Sequence, residues 1–167
     1  LLSNPCNPSG KLFTKKEMLA IGEFCIKNNL FLISDEVYRE FCYTDEPHFS
    51  AMNIPGCEQN VILVDSVSKR YNLCGARIGC IISHNKDVMA AAMKFAQSRL
   101  CPPVFGQYAA IGALDTPQSY FDEVKEEYIR RRDCAVEMLN AIPGVYAPTP
   151  YGAFYTVVEL PVEDAED

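Results

Sequence analysis

Residues 65–79, DSVSKRYNLCGARIG, lie between two short apolar runs, 61–64 and 78–82. That spacing limits what the chain can fold into more than any other feature. Each run reads as a buried strand. A parallel neighbour needs a connection of about a dozen residues or more, usually a helix. Too little chain follows Lys69 for such a crossover, so the strand over 78–83 is expected to run antiparallel to its predecessor. The same stretch carries chemistry, because Ser66, Ser68, Lys69 and Arg77 fall within a dozen residues. A lysine just past a buried strand can form a Schiff base with a carbonyl, while the hydroxyls and the guanidinium hold a phosphate. Taken alone, S-x-S-K reads as a polar loop with a solvated lysine, and the rest of the chain has to decide.

The chain opens with SNPCNPSG, a rigid loop in which each Asn-Pro bond can be cis. Thr14 and Glu17 form a capping box, with Thr14 as N-cap, for a helix that ends at Asn28-Asn29. Residues 30–33, Leu-Phe-Leu-Ile, are continuously apolar and short, which predicts a strand buried on both faces. Asp35, Glu36 and Tyr38 follow at its carboxyl end. A polar connection, 44–60, leads to the strand at 61–64. This is the rhythm of an α/β sheet, in which ligands collect at the carboxyl edges of strands. Asp35 and the Ser66–Lys69 cluster both fall at such edges, so one shared site is expected.

Three helices are expected next: about 86–98, about 104–114, and about 116–141, the last starting at Thr116 as N-cap with Pro117 at the first helical position. The charged middle of the third, 125–132, places it on a surface or between two domains. From Tyr146 the chain turns to β character, with an apolar strand over 154–160. The division this predicts is 1–115 as part of a large domain, 116–142 as a connecting helix and 143–167 as the start of a small one.

Composition removes several function classes. A net charge of -7 argues against a nucleic-acid binder and against a basic membrane-surface protein. Five of the carboxylates sit in the tail 159–167. No apolar run is long enough to span a bilayer. The eight cysteines include no C-x-x-C pair and several lie in apolar runs, which predicts reduced thiols in a cytoplasmic protein. His48 and His84 are isolated and read as surface or loop histidines, so no metal site is expected. The absence of an initiator methionine, with a first residue in mid-strand, reads as a piece of a longer polypeptide.

Four ordered motifs then carry a resemblance: NPCNPSG at 4–10, SDEVYREF at 34–41, DSVSKRYNLCGARIG at 65–79 and PYGAFY at 150–155. Together they resemble the pyridoxal-phosphate-dependent aminotransferases of class I/II, fold type I, of the aspartate aminotransferase kind. The resemblance implies an α/β fold: the later part of a mainly parallel, seven-stranded-type large domain, followed by the start of a small α/β domain. It covers essentially the whole chain, which looks like only the middle and later part of such an enzyme.

Carried across position by position, the resemblance makes Lys69 the lysine that holds the cofactor and moves the substrate's Cα proton. Asp35 faces the pyridine nitrogen, and Tyr38 and Asn7 hydrogen-bond the phenolic oxygen. Arg77 binds the phosphate with its planar fork. Ser66 is a phosphate-binding hydroxyl and Ser68 a second. Gly75 and Gly79 allow close backbone approach. In isolation Asp35 reads as a helix N-cap, Tyr38 as core packing and Asn7 as a turn; the joint pattern changes those readings. Arg99 is expected to bind the distal carboxylate of a dicarboxylic substrate in a neighbouring subunit's site, beside the alternative that it answers the dipole of its own helix.

The activity implied is ping-pong transfer of an amino group, through pyridoxamine phosphate, between an L-amino acid (aspartate or glutamate) and a 2-oxo acid. A homodimer without nucleic-acid or membrane partners is implied as well, and the isolated piece is expected to be inactive. The same residues serve carbon–sulfur lyases on this fold, and an aminotransferase-like domain also acts as the ligand sensor of some transcription regulators. The resemblance implies that the glycine-containing phosphate loop and the ring-stacking aromatic are expected before this chain and the arginine for a substrate α-carboxylate after it, since no arginine follows Arg132.

Overall fold

The protein is described here by a computed structural model, covering residues 1–164. Four strands form one sheet in chain order: β1 (Leu2–Ser3), β2 (Leu32–Asp35), β3 (Val61–Ser66) and β4 (Gly79–Ile82). β1, β2 and β3 run parallel, and β4 runs antiparallel to β3 with Ser66 opposite Gly79. The short connection after Lys69 therefore sets strand direction as connection length demands.

Helix α1 (Lys15–Lys27) crosses between β1 and β2. Thr14 caps it: the Glu17 amide donates to Thr14 Oγ1 at 3.3 Å, and the Thr14 amide donates back to Glu17 Oε2 at 2.8 Å. Two of the helix's unpaired N-terminal donors are reckoned with in this way. Its inner face presents Met18, Gly22 and Cys25 to the sheet. Gly22 is needed there, because a Cβ would stand 2.4 Å from Ile54 Cγ2.

Met18, Cys25, Leu32, Ala51, Ile54, Cys57 and Val61 make the main core. Three of these come from the 44–60 segment expected to be a polar connection. A 3-10 turn, Ala51–Asn53, capped by the Ser50 hydroxyl, buries Ala51 and is followed by Ile54 and Cys57, which are buried with it. A second expectation also changes. Leu32 and Ser34 are buried, but Ile33 is 37% exposed and Phe31 53% exposed, so this strand is buried on one face. Side chains alternate along a strand, and α1 with the Ala51 turn covers one side; among the described residues no element covers the other.

Three helices follow: α2 (Lys86–Ser98), α3 (Val104–Ala113) and α4 (Gln118–Asn140). α4 starts one residue later than expected. Pro117, at φ -69 and ψ 152, occupies the N-cap position, and Thr116 instead donates its amide to Ala113 O. The strand expected over 154–160 does not form. A single antiparallel bridge, Tyr146 with Glu159, is all that pairs there, so no ladder extends it. Residues 150–155 instead lie against the first half of the chain. Tyr151 and Gly152 both donate their amides to Gly10 O at 2.9 Å, and Ala153 donates to Phe41 O at 2.9 Å. Residues 165–167, the end of the expected small-domain start and of the acidic tail, lie outside the described residues.

All eight cysteines are free thiols. Among the described residues no helix is long and apolar enough to cross a membrane, and no group of three His, Cys, Asp or Glu is placed to hold a metal ion.

Candidate functional site

The carboxyl ends of β2 and β3 open onto a cavity of about 370 Å³ walled by Asp35, Ser66, Ser68, Lys69, Cys74 and Arg77. Asp35 ends β2 level with Val64 of β3. Its Oδ1 accepts the Val37 amide at 3.1 Å, so it closes a turn and caps no helix. That leaves Oδ2 outside this turn contact. Ser66 ends β3, and its Oγ accepts the Ser68 amide at 3.3 Å, which curls the loop over the strand end. Arg77 has a left-handed backbone, φ 56, and its Nη1 donates to Cys74 O at 2.9 Å. Gly79 lets the hairpin close: a Cβ there would lie 3.0 Å from Asp65 O. Gly75 has no neighbour within 4 Å of such a Cβ, so the close approach expected at that position is absent.

Lys69 extends from this loop toward an aromatic wall. Its Nζ lies 5.8 Å from the ring centroid of Tyr38 and 5.8 Å from that of Phe154, within cation–π range. Tyr38 itself is 3% exposed, with the rings of Phe41, Phe154 and Tyr155 meeting it edge-on. Burial chiefly pushes its hydroxyl above the ordinary tyrosine range, the Asp35 charge adds to this, and a hydrogen bond from the Asn7 side chain opposes it. Asn7 thus reaches the site through Tyr38. Arg99, the C-cap of α2, is exposed and is not among the residues walling the cavity.

Several supporting residues escaped the sequence reading. Arg70, whose side chain is 8% exposed, pairs with Asp65, and Arg39 Nη1 lies 3.6 Å from the same carboxylate. This pair ties the Lys69 loop back to the end of β3. Behind Asp35, the Glu36 carboxylate is completely buried: Oε1 accepts from Ser34 Oγ at 3.0 Å and from the Ala51 amide at 2.8 Å. Its Oε2 stands 3.8 Å from His48 Nε2, which lies 3.1 Å from Asn4 O. A carbonyl and a carboxylate both face that nitrogen, so Nε2 carries the proton. His48, expected on the surface or in a loop, is a loop residue whose side chain is only 10% exposed. Tyr155, whose hydroxyl lies 2.7 Å from that of Tyr38, is the last such residue, and it belongs to the PYGAFY motif.

An amine, two hydroxyls, a guanidinium and a carboxylate thus share one cavity. The basic and hydroxyl groups suit a phosphorylated anion, and the carboxylate suits a cationic nitrogen.

Known proteins resemble this chain along most of its length. A family model described as aminotransferase class I and II matches residues 1–167. The chain is 35% identical over 158 residues to an aspartate aminotransferase of Pyrococcus abyssi, covering 93% of this chain and 40% of that one. It is 32% identical over 162 residues to an aspartate/prephenate aminotransferase of Cereibacter sphaeroides, covering 96% and 40% respectively. Among solved structures, the aspartate aminotransferase from Rhizobium meliloti superposes with a TM-score of 0.85 at 32% identity, covering 93% of this chain and 39% of that one. The chain spans about 40% of the length of the curated relatives it matches. With all of its residues matched by that family model, this chain belongs to the class I and II aminotransferases.

Proposed function

We propose that this chain is the lysine-bearing part of a pyridoxal-phosphate-dependent aminotransferase that moves an amino group from an L-amino acid, aspartate or glutamate, to a 2-oxo acid. The observation that carries the reading is the cavity at the strand ends, which joins Lys69, Ser66, Ser68 and Arg77 to Asp35. This donor set fits the cofactor. Arg77, Ser66 and Ser68 would hold the phosphate, Lys69 would hold the carbonyl carbon through Nζ, and Asp35 would face the ring nitrogen. When bound, the group supplies an electron sink for the substrate's Cα.

The residues of this chain do the rest. The Asp35 carboxylate keeps a proton on the ring nitrogen, because an anion there favours the charged form. Once the substrate's amino group has taken its place, Lys69 Nζ would be free to take the proton from the substrate Cα, a general base on a short tether. Tyr38 Oη and the Asn7 amide address the phenolic oxygen. Arg99 is assigned the distal carboxylate in a neighbouring subunit's site; an Arg99→Ala protein with undiminished activity on aspartate would remove that assignment. The reading takes 1–115 as large-domain, 116–142 as connecting and 143–167 as small-domain chain, within a cytoplasmic homodimer. The aminotransferase names of the matched relatives favour transfer over the lyase and sensor readings.

The test is direct. Pyridoxal phosphate is added to the protein, the adduct is trapped with borohydride, and the modified peptide is mapped. A single adduct on Lys69 is the expected result. Adducts scattered over exposed lysines, or none, would show that the cavity does not bind the group.

A further inference from the structure

Tyr155 has no role in the function proposed above, yet its hydroxyl touches that of a residue placed at the reacting ligand. Tyr38 Oη and Tyr155 Oη are 2.7 Å apart, 117 residues apart in sequence. The Tyr38 ring cannot swing away: Phe154, Tyr155 and Phe41 meet it edge-on at 5.1, 5.6 and 6.3 Å between centroids. Only the direction of its O–H remains to be decided. A tyrosine oxygen offers one donated proton and two acceptor positions. The Asn7 side chain takes one acceptor position. If Tyr38 spends its proton on Tyr155, nothing remains to donate to a ligand. If Tyr155 donates, both acceptor positions are filled and the Tyr38 proton is left to point away from both partners.

We propose that Tyr155 is a positioning residue whose hydroxyl donates to Tyr38 Oη and so directs the Tyr38 proton at the phenolic oxygen of the bound cofactor. The inference rests on the cofactor reading above. The backbone supplies the required rigidity. Ala153 donates to Phe41 O, Gly152 donates to Gly10 O, and Tyr43 Oη donates to Ala153 O, so the strap that delivers Tyr155 is anchored without its hydroxyl. Gly10 has φ +68, and a Cβ there would lie 2.2 Å from Pro150 Cβ and 2.9 Å from Tyr155 O, so the strap and the Asn7 loop are in contact. The Asn7 loop, the Tyr38 turn and the Tyr155 strap therefore meet at one oxygen.

The replacement Tyr155→Phe removes the hydroxyl and leaves the ring and every one of these anchors in place. The measurement is the visible absorbance of pyridoxal phosphate bound to the full-length protein, followed against pH in wild type, Y155F, Y38F and the double variant. A donor to the phenolic oxygen stabilises its anion and lowers the pH at which the band changes. Loss of Tyr38 is therefore expected to raise that midpoint. Y155F is expected to raise it in the same direction, by about half a unit to one unit, because a hydroxyl that also accepts a hydrogen bond is the stronger donor. The double variant is expected to match Y38F alone, because Tyr155 acts only through Tyr38. A Y155F midpoint equal to or below that of wild type overturns the proposal, since loss of an acceptor would free the Tyr38 proton, as does a double variant in which the two shifts add. A wild-type protein that develops no bound-cofactor band overturns the cofactor reading itself, and this inference with it.

Discussion

Met18, Ala51 and Cys57 in the first part of the chain are completely shielded from solvent, whereas β4, α2 and α4 contain no buried residue at all. The helices of the later part are regular, and Asn85 caps α2 by accepting the Asp87 and Val88 amides, while α3 and α4 start at prolines without a side-chain cap. Regular secondary structure is therefore not what separates the two regions. Apolar side chains contribute to stability in proportion to the area they remove from water, and Phe95 and Phe105 remain 77% and 90% exposed. The site lies where the two regions join. Asp35 stands on the buried strand β2, backed by Glu36, while Arg77 sits exposed just before β4. The Asp35 carboxylate is built on packed structure and the Arg77 guanidinium on a loop.

The strongest way to break this contrast is Met18→Ala. Removing a fully buried side chain from the main core is expected to cost about 2–5 kcal/mol, read as the shift in urea unfolding. A loss under about 1 kcal/mol would mean that the first region is not the stabilising one. Glu36→Ala comes next. It leaves the Ser34 hydroxyl and the Ala51 amide buried without their acceptor, for about 1–3 kcal/mol in the same assay.

The third prediction uses pH. Burial chiefly holds His48 below its ordinary value of 6.5, with Arg39 acting in the same direction and the Glu36 and Glu40 charges and the Asn4 carbonyl opposing it. The folded protein then binds fewer protons than the unfolded chain, so stability is full above about 6.5 and is lost as pH falls through the folded value. Denaturation midpoints taken between about pH 7 and about pH 5 are expected to fall, and His48→Phe is expected to flatten that slope. An unchanged slope in the variant would assign the acid sensitivity to other groups. The smallest expected effect sharpens the contrast from the other side. Phe95→Ser, on α2, is expected to move stability by no more than about 0.5 kcal/mol. A cost like that of Met18→Ala would show that the apolar face of α2 is covered in solution.

Much of the fold was legible because its signals are local. The capping box at Thr14, the bounds of α2, the reversal of direction between β3 and β4 and the grouping of Lys69 with Arg77 follow from caps, connection length and short-range pattern. The one-sided burial of β2 was not legible, since a run of apolar residues has the same appearance whether one face is covered or both. The 44–60 segment was misread for a related reason: Ala51, Ile54 and Cys57 are too sparse to show a period, and only the neighbouring helix makes them core.

By itself, then, the sequence determined the reversal of direction between β3 and β4, the bounds of α1 and α2 and the grouping of Ser66, Ser68, Lys69 and Arg77, because each depends on residues within a few positions of one another. The tertiary structure alone decided which partners those side chains have. Asp65 with Arg70, Glu36 with His48, and Tyr38 with Tyr155 are each set by how the chain folds back, and the last spans 117 positions. No local pattern can specify such a pairing, since the hydrogen bond exists only once the loop at Gly10, the turn at Tyr38 and the strap at 150–155 have closed on one another.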